Sequence, residues 1–187
     1  MENSSTSLNG NINQESIWIF GYGSLIWKPD IAYTKCRRTR LFDWSRRFWQ
    51  GSHDHRGTPD NPGRVVTLIP DPGSYCDGVA FQINPEHFSN TLESLDYREK
   101  NGYERHNVNL KSIDATHLPA VVYIATIDNF AWLGPESDET IAQQIMRSNG
   151  PSGSNTEYLL NLANSLRENK FHDDHVFELE RLVLSPI

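Results

Sequence analysis

Cysteine is scarce. The 187 residues hold two, Cys36 and Cys76, at no metal-ligand spacing, so neither a disulfide framework nor a thiolate metal cage is expected, and a reducing compartment fits. Long hydrophobic runs are missing as well. No apolar stretch approaches the ~20 residues that cross a bilayer, and the first residues carry no basic leader ahead of an apolar core. A soluble, cytoplasmic protein without a membrane partner is expected, and the sequon at Asn3-Ser4-Ser5 is expected to be idle. Net positive charge is also lacking: the formal charge is −7, which argues against general affinity for nucleic acid.

Several catalytic patterns are absent too. Ser24 sits in Gly21-Tyr22-Gly23-Ser24-Leu25, which lacks the glycine two positions after serine that a nucleophile elbow needs. Neither a Walker pattern nor a dinucleotide fingerprint occurs, so phosphoryl transfer and nicotinamide chemistry have no anchor. His53-Asp54-His55 and His172-Asp173-Asp174-His175 contain metal-ligating residue types, but no third ligand stands at a telling distance, and solvated histidines are expected.

What is present begins at Ile17-Trp18-Ile19-Phe20, four bulky strand formers that run into Gly21-Tyr22-Gly23-Ser24. Glycines there permit positive φ or close approach of a ligand to the backbone. Bare N–H groups in such a loop suit an anion, although an ordinary turn has the same composition. Between Lys28 and Arg64 nine basic residues face four acidic ones. An acidic small molecule is one partner for such a region, and surface carboxylates are another.

Residues 1–15, rich in Asn and Ser, are expected to form a disordered tail before a single domain over 16–187. The first strand is expected over Ser16–Phe20. Arg40–Ser52 mixes aromatics with arginines at no decisive period. Arg64–Ile69 and Tyr75–Ile83 read as two strands joined by a turn at Pro70-Asp71-Pro72-Gly73. Asn84-Pro85 starts a helix whose inner face is Phe88, Leu92 and Leu95. Arg105–Lys111 and Ala120–Thr126 are further strands. Three helices follow: one capped by Ser137 with Ile141 and Ile145 inward, one capped by Ser154, and one from about Asp173 to Leu184. Five strands and these helices make an α+β domain.

The helix after Asn84 delivers the chain into Asp96-Tyr97-Arg98-Glu99-Lys100-Asn101-Gly102-Tyr103-Glu104. A carboxylate enclosed there would be a tuned acid or base. Composition offers both Glu99 and Glu104 for that role.

Five blocks occur in order from about residue 16 to residue 166: Gly21-Tyr22-Gly23-Ser24-Leu25-Ile26-Trp27; Arg46-Arg47-Phe48-Trp49-Gln50-Gly51-Ser52 with Asp54-His55-Arg56-Gly57; Pro62-Gly63-Arg64-Val65-Val66-Thr67-Leu68; Leu95-Asp96-Tyr97-Arg98-Glu99-Lys100-Asn101-Gly102-Tyr103; and Gly150-Pro151-Ser152-Gly153 with Asn155-Thr156-Glu157-Tyr158-Leu159. Together they resemble the ChaC family of glutathione-specific γ-glutamylcyclotransferases. The resemblance implies a γ-glutamylcyclotransferase-like fold, a small mixed β-barrel of about five or more strands flanked by helices. It implies cleavage of glutathione to 5-oxoproline and cysteinylglycine with no cofactor, no metal and no obligatory protein partner. It also implies that Tyr22, Gly23, Ser24 and Leu25, flanked by Gly21 and Ile26, hold the γ-glutamyl group, and that Glu99 is the general acid/base. Arg56, Arg64 and Tyr158 are further candidates for the pocket wall, the arginines because glutathione carries two carboxylates. Three other readings stay open beside it: a cyclotransferase for other γ-glutamyl donors, an idle domain that binds an anion or a partner, and, weakest, a nucleic-acid module built on Arg38–Trp49.

Overall fold

The computed structural model describes residues 17–112 and 114–185; the expected tail over 1–15, together with Ser16, lies outside them. Five strands close into a barrel in the order β1-β3-β2-β4-β5. They are β1 (Ile17–Gly21), β2 (Lys35–Ser52), β3 (Gly63–Ile83), β4 (Tyr103–Ser112) and β5 (His117–Ala125). Neighbours run antiparallel except β1 and β5, which meet in parallel at Trp18–Ala120 and Ile19–Val121, so the barrel is mixed. Helix α1 (Phe88–Arg98) connects β3 to β4, and α2 (Asp138–Arg147), α3 (Asn155–Glu168) and α4 (Asp174–Leu184) follow the last barrel strand. Among the described residues no helix is long and apolar enough to cross a membrane.

The strand count agrees with expectation through two compensating differences. Arg40–Ser52, undecided by period, forms most of β2, and the two strands expected on either side of Pro70-Asp71-Pro72-Gly73 are one continuous strand, β3. The turn residues make a bulge and not a reversal. Phe42 pairs with Tyr75 and Trp44 with Pro70, so residues 71–74 stand opposite Asp43 alone. Gly73 takes φ +87° and Asp43 φ +65°, and the Gly73 N–H donates to Asp43 Oδ1 at 2.9 Å. Both halves keep β2 as partner, because the bulge absorbs the extra residues without reversing the chain.

A second irregularity lies between Arg47–Thr67 and Gln50–Val65, where Phe48 and Trp49 face a single residue. Their backbone groups leave the ladder and find other partners. Phe48 N–H donates to His175 Nε2, Phe48 O accepts from Arg64, and Trp49 O accepts from the N–H groups of Leu133 and Gly134.

One core cluster joins the barrel strands, through Ile19, Phe20, Leu68, Ile83, Leu110 and Val122 on the two faces of the sheet, to the helical layer, through Ile141, Ile145, Leu159, Leu162, Val176 and Leu179. Burial of each such side chain contributes roughly 1.5–3 kcal/mol. The helices begin where capping residues allow. Asn84 accepts from Glu86 N–H ahead of a 3-10 turn, Pro85–His87, which leads into α1. Ser137, Ser154 and Asp173 cap α2, α3 and α4. Asp173 also holds Arg46, a guanidinium 1 % exposed.

Candidate active site

The loop after β1 is the first wall of the site. Neither Gly21 nor Gly23 has positive φ; what they supply is room. A Cβ on Gly21 would stand 2.8 Å from Leu25 Cβ, and one on Gly23 would meet Val66 Cγ2 at 2.9 Å and Tyr158 Oη at 3.1 Å. Gly23 adopts φ −125°, ψ −132° and leads into a short 3-10 turn, Ser24–Ile26. The backbone bonds donated at this turn begin with Ile26 N–H to Gly23 O (3.0 Å), followed by Trp27 N–H to Ser24 O and Lys28 N–H to Ser24 O (2.9 Å). The preceding N–H groups, of Gly23 to Leu25, belong to the set that a helical start leaves without internal partners.

A buried arginine and a half-buried one fix this loop. Arg46 donates through Nε to Tyr22 O (2.7 Å), through Nη2 to Asp77 O (2.5 Å) and through Nη1 to Asp173 (2.6 Å). Arg98, the last residue of α1, donates to Ser24 Oγ at 2.7 Å and to Lys28 O and Pro29 O. Tyr22 points its hydroxyl away, donating to Tyr123 O at 2.7 Å.

Glu99 forms the second wall. It is the C-terminal cap of α1, where Asn101 and Gly102, the latter at φ +92°, turn the chain into β4; Glu99 N–H donates to Leu95 O and Tyr103 N–H to Glu99 O. Its side chain is 18 % exposed, with Oε1 at 3.4 Å from Arg98 Nε, and it accepts no hydrogen bond from the described residues. Burial raises its pKa above the ordinary carboxylate value, the Arg98 charge opposes that, and Asp54 reinforces it. Glu104, its rival on composition, is exposed on β4.

Two adjoining spaces share Glu99 as a wall. An inner chamber of ≈ 40 Å³ is bordered by Tyr22, Gly23, Ser24, Leu25 and Val66, and an outer cleft of ≈ 250 Å³ by Trp27, Lys28, Asp54 and Arg56; Ser24, Glu99, Tyr103 and Tyr158 border both. The phenols of Tyr22, Tyr103 and Tyr158 are all held up by burial and by the Glu99 charge, so they stay neutral. Tyr103 donates its hydroxyl to Val66 O at 2.6 Å. A carboxylate thus stands at the neck between a small polar chamber and a wider cleft, among neutral dipoles.

Of the residues expected to form a pocket, Tyr22 to Leu25 border the inner chamber, Arg56 the outer cleft, and Glu99 and Tyr158 both. Gly21 and Ile26 border neither space and shape the loop from behind. Arg64 requires correction. It is buried away from both spaces and spends its guanidinium on Phe48 O (3.0 Å), Gly134 O (2.9 Å) and Gln144 Oε1 (2.6 Å), because the β2 bulge leaves a carbonyl that needs a donor. The histidine pair of the last segment is likewise divided: His172 is exposed beside Asp174, and His175 is half-buried between Phe48 N–H and Asp138. Sequence reasoning gave no role to Arg46, Arg98, Tyr103 or Asp54. Buried arginines aimed at loop carbonyls leave no pattern in a single sequence, whereas Arg98 and Tyr103 flank Glu99 and were legible as its surroundings.

The family model described as ChaC-like protein matches residues 17–185. A glutathione-specific gamma-glutamylcyclotransferase 1 from Danio rerio is 42 % identical over 180 residues, covering 93 % of this chain and 92 % of that one. A glutathione-specific gamma-glutamylcyclotransferase from Saccharomyces cerevisiae is 38 % identical, covering 83 % and 88 %. A crystal structure of a γ-glutamyl cyclotransferase specific to glutathione from yeast superposes with a TM-score of 0.86 at 36 % identity, covering 90 % of this chain and 95 % of that one. With a family match that spans almost all of the described barrel and helices, the chain belongs to the ChaC-like family.

Proposed function

We propose that this protein is a glutathione-specific γ-glutamylcyclotransferase that releases 5-oxoproline and cysteinylglycine, with Glu99 as general acid/base. The observation that carries this reading is the shielded carboxylate of Glu99 at the neck between the glycine-loop chamber and the outer cleft. The names of the relatives support the substrate.

The γ-glutamyl group brings its own nucleophile. Its α-amine reaches the γ-carbonyl and closes a five-membered ring, so no enzyme nucleophile is needed and no water is consumed. Holding the bent conformer is the main task, because effective molarities of well-oriented intramolecular reactions reach ~10⁵ M or more. In the proposed geometry the orphan N–H groups of Gly23 to Leu25 receive the α-carboxylate. Glu99, ionised, takes a proton from the α-ammonium. The amine nitrogen bonds to the γ-carbon and sheds a second proton as the lactam forms. The bond from that carbon to the cysteine nitrogen breaks as Glu99 passes the first proton to that nitrogen, and the second proton, relayed the same way, completes the ammonium of cysteinylglycine. Such a relay contributes ~10² to 10⁴ in rate. A carboxylate with a raised pKa suits both halves of it, since it is a stronger base than an ordinary glutamate and its acid form still gives the proton up to a departing amine.

The proposed compartment is the cytoplasm, in keeping with two free cysteines, Cys36 and Cys76. Incubating the purified protein with glutathione, γ-glutamyl-alanine and γ-glutamyl-lysine tests the reading. Equimolar 5-oxoproline and cysteinylglycine from glutathione, well above turnover of the other two, is expected; γ-glutamyl-alanine or γ-glutamyl-lysine as the better donor, or binding of glutathione without product, would overturn it.

A further inference from the structure

Cyclisation consumes the γ-glutamyl end of the tripeptide, and the outer cleft must receive the rest, including a second carboxylate. We propose that Arg56 binds the C-terminal carboxylate of glutathione and thereby separates the tripeptide from shorter γ-glutamyl donors. This rests on the cyclotransferase reading and specifies the far end of its substrate.

Three cationic residue types border the outer cleft besides Arg98, whose guanidinium is committed to the glycine loop: Lys28, His55 and Arg56. Lys28 is 68 % exposed and 3.7 Å from Asp30. His55 hydrogen-bonds Ser152 through Nδ1 and stands 3.8 Å from Asp54. Arg56 differs from both. Its side chain is 13 % exposed, and all of its side-chain bonds use one amino group: Nη1 donates to Ser154 O at 3.1 Å and to Glu157 Oε2 at 2.6 Å. Among the described residues Nε and Nη2 donate to nothing, which leaves one edge of the guanidinium with the two-donor fork that matches a carboxylate.

The fork is held on a braced support. Ser152 N–H donates to His55 O, Arg56 N–H donates to Ser52 Oγ, and a Cβ on Gly150 would stand 2.3 Å from His55 O. The hairpin Asn149–Gly150 and Gly153–Ser154 is therefore locked against the loop that carries Arg56. Glu157, which grips Nη1, also donates its N–H to the Ser154 cap of α3. Arg56 is fixed with respect to both the hairpin and the helix.

Tyr158 provides the measure. Its hydroxyl reaches the inner chamber beside Gly23, and the Arg56 guanidinium carbon lies 5.9 Å from its ring centroid. The ring is itself wedged edge-on against Trp27 and Phe48, at 5.3 and 6.0 Å. One rigid side chain thus separates the two proposed anchor points. With its γ-glutamyl end folded for cyclisation, glutathione still extends about 7 Å through its cysteine and glycine residues, enough to run from the loop past that ring toward the Arg56 guanidinium. A γ-glutamyl dipeptide ends short of it.

The test compares kcat/KM for glutathione and for glutathione carrying a C-terminal carboxamide, in the wild type and in Arg56→Gln, Arg56→Lys and Lys28→Gln. The wild type is expected to prefer the free acid by about 10- to 100-fold, the size of a charge-assisted bidentate contact. Arg56→Gln is expected to collapse that ratio to within about threefold, Arg56→Lys to leave an intermediate value, and Lys28→Gln to keep the wild-type ratio. A wild-type ratio near one overturns the proposal without any variant, as does a ratio that survives Arg56→Gln or collapses in Lys28→Gln. Failure of the wild type to cyclise either substrate overturns the cyclotransferase reading itself.

Discussion

Glu99 combines two demands that pull in opposite directions. It must be shielded to act as a tuned base, yet shielding opposes the charge it needs. Burial raises its pKa, Arg98 at 3.4 Å lowers it, and Asp54 raises it. The acid limb of kcat/KM against pH is therefore expected above the ordinary glutamate value of about 4.3. Asp54→Asn removes a raising charge and should move the limb down; Arg98→Gln removes the lowering charge and should move it up. Shifts of the same sign in both variants would contradict the assignment. The sign for stability also follows. A carboxyl with a raised folded-state pKa binds more protons folded than unfolded, so its contribution falls as pH rises from the unfolded value through the folded one. Glu99→Gln escapes that loss. Its melting temperature at pH 7.5 is expected to equal or exceed the wild type's, measured by calorimetry beside pH 4, where the difference should shrink.

At the scale of elements, the glycine loop and the bulges decide the geometry. Gly23→Ala would push a methyl against Val66 and Tyr158. Its expected cost is about 1–3 kcal/mol with a raised KM for glutathione, read from urea unfolding and steady-state kinetics. Gly73→Ala is the contrasting case. Open space surrounds it, but its φ of +87° is unfavourable for alanine, so a cost of roughly 1 kcal/mol with unchanged kcat/KM is expected. Arg46→Met strips donors from Tyr22 O and Asp77 O and leaves Asp173 without its partner. Breaking a buried pair costs about 3–5 kcal/mol, and denaturant unfolding should register it along with loss of activity. The elements also mark the limits of sequence reading. Helices α2 to α4 were legible, because Ser137, Ser154 and Asp173 are strong caps before periodic apolar faces. Strand β3 was not, since Pro70-Asp71-Pro72-Gly73 has the chemistry of a reversal, and only its partner strand decides whether it forms a turn or a bulge.

Across the whole molecule, the basic stretch from Lys28 to Arg64 is spent mostly on the protein's own carboxylates and carbonyls. Arg37, Arg40 and Arg46 pair with Asp114, Asp77 and Asp173, Arg38 and Arg47 donate to the carbonyls of Asn169 and Arg46, and Arg64 serves backbone carbonyls and Gln144; of the nine, Lys28 and Arg56 border the cleft. Charge counted along the chain pointed to an acidic ligand; its distribution in space narrows that to one neighbourhood. The ordered motif blocks converge there as well. The glycine loop, the Arg98–Glu99 pair and the Tyr158 helix come from distant parts of the sequence and meet around spaces of ≈ 40 and ≈ 250 Å³. Long-range closure of the barrel through β1 and β5 brings them together, and no local pattern encodes it. The central claim is that one carboxylate moves the proton while the substrate cyclises. Its most direct measurement is single-turnover release of 5-oxoproline from glutathione by Glu99→Gln, alongside calorimetric binding of glutathione to the same variant. A rate lower by about 10²- to 10⁴-fold with binding retained is predicted, and release at a rate near that of the wild type would contradict the account.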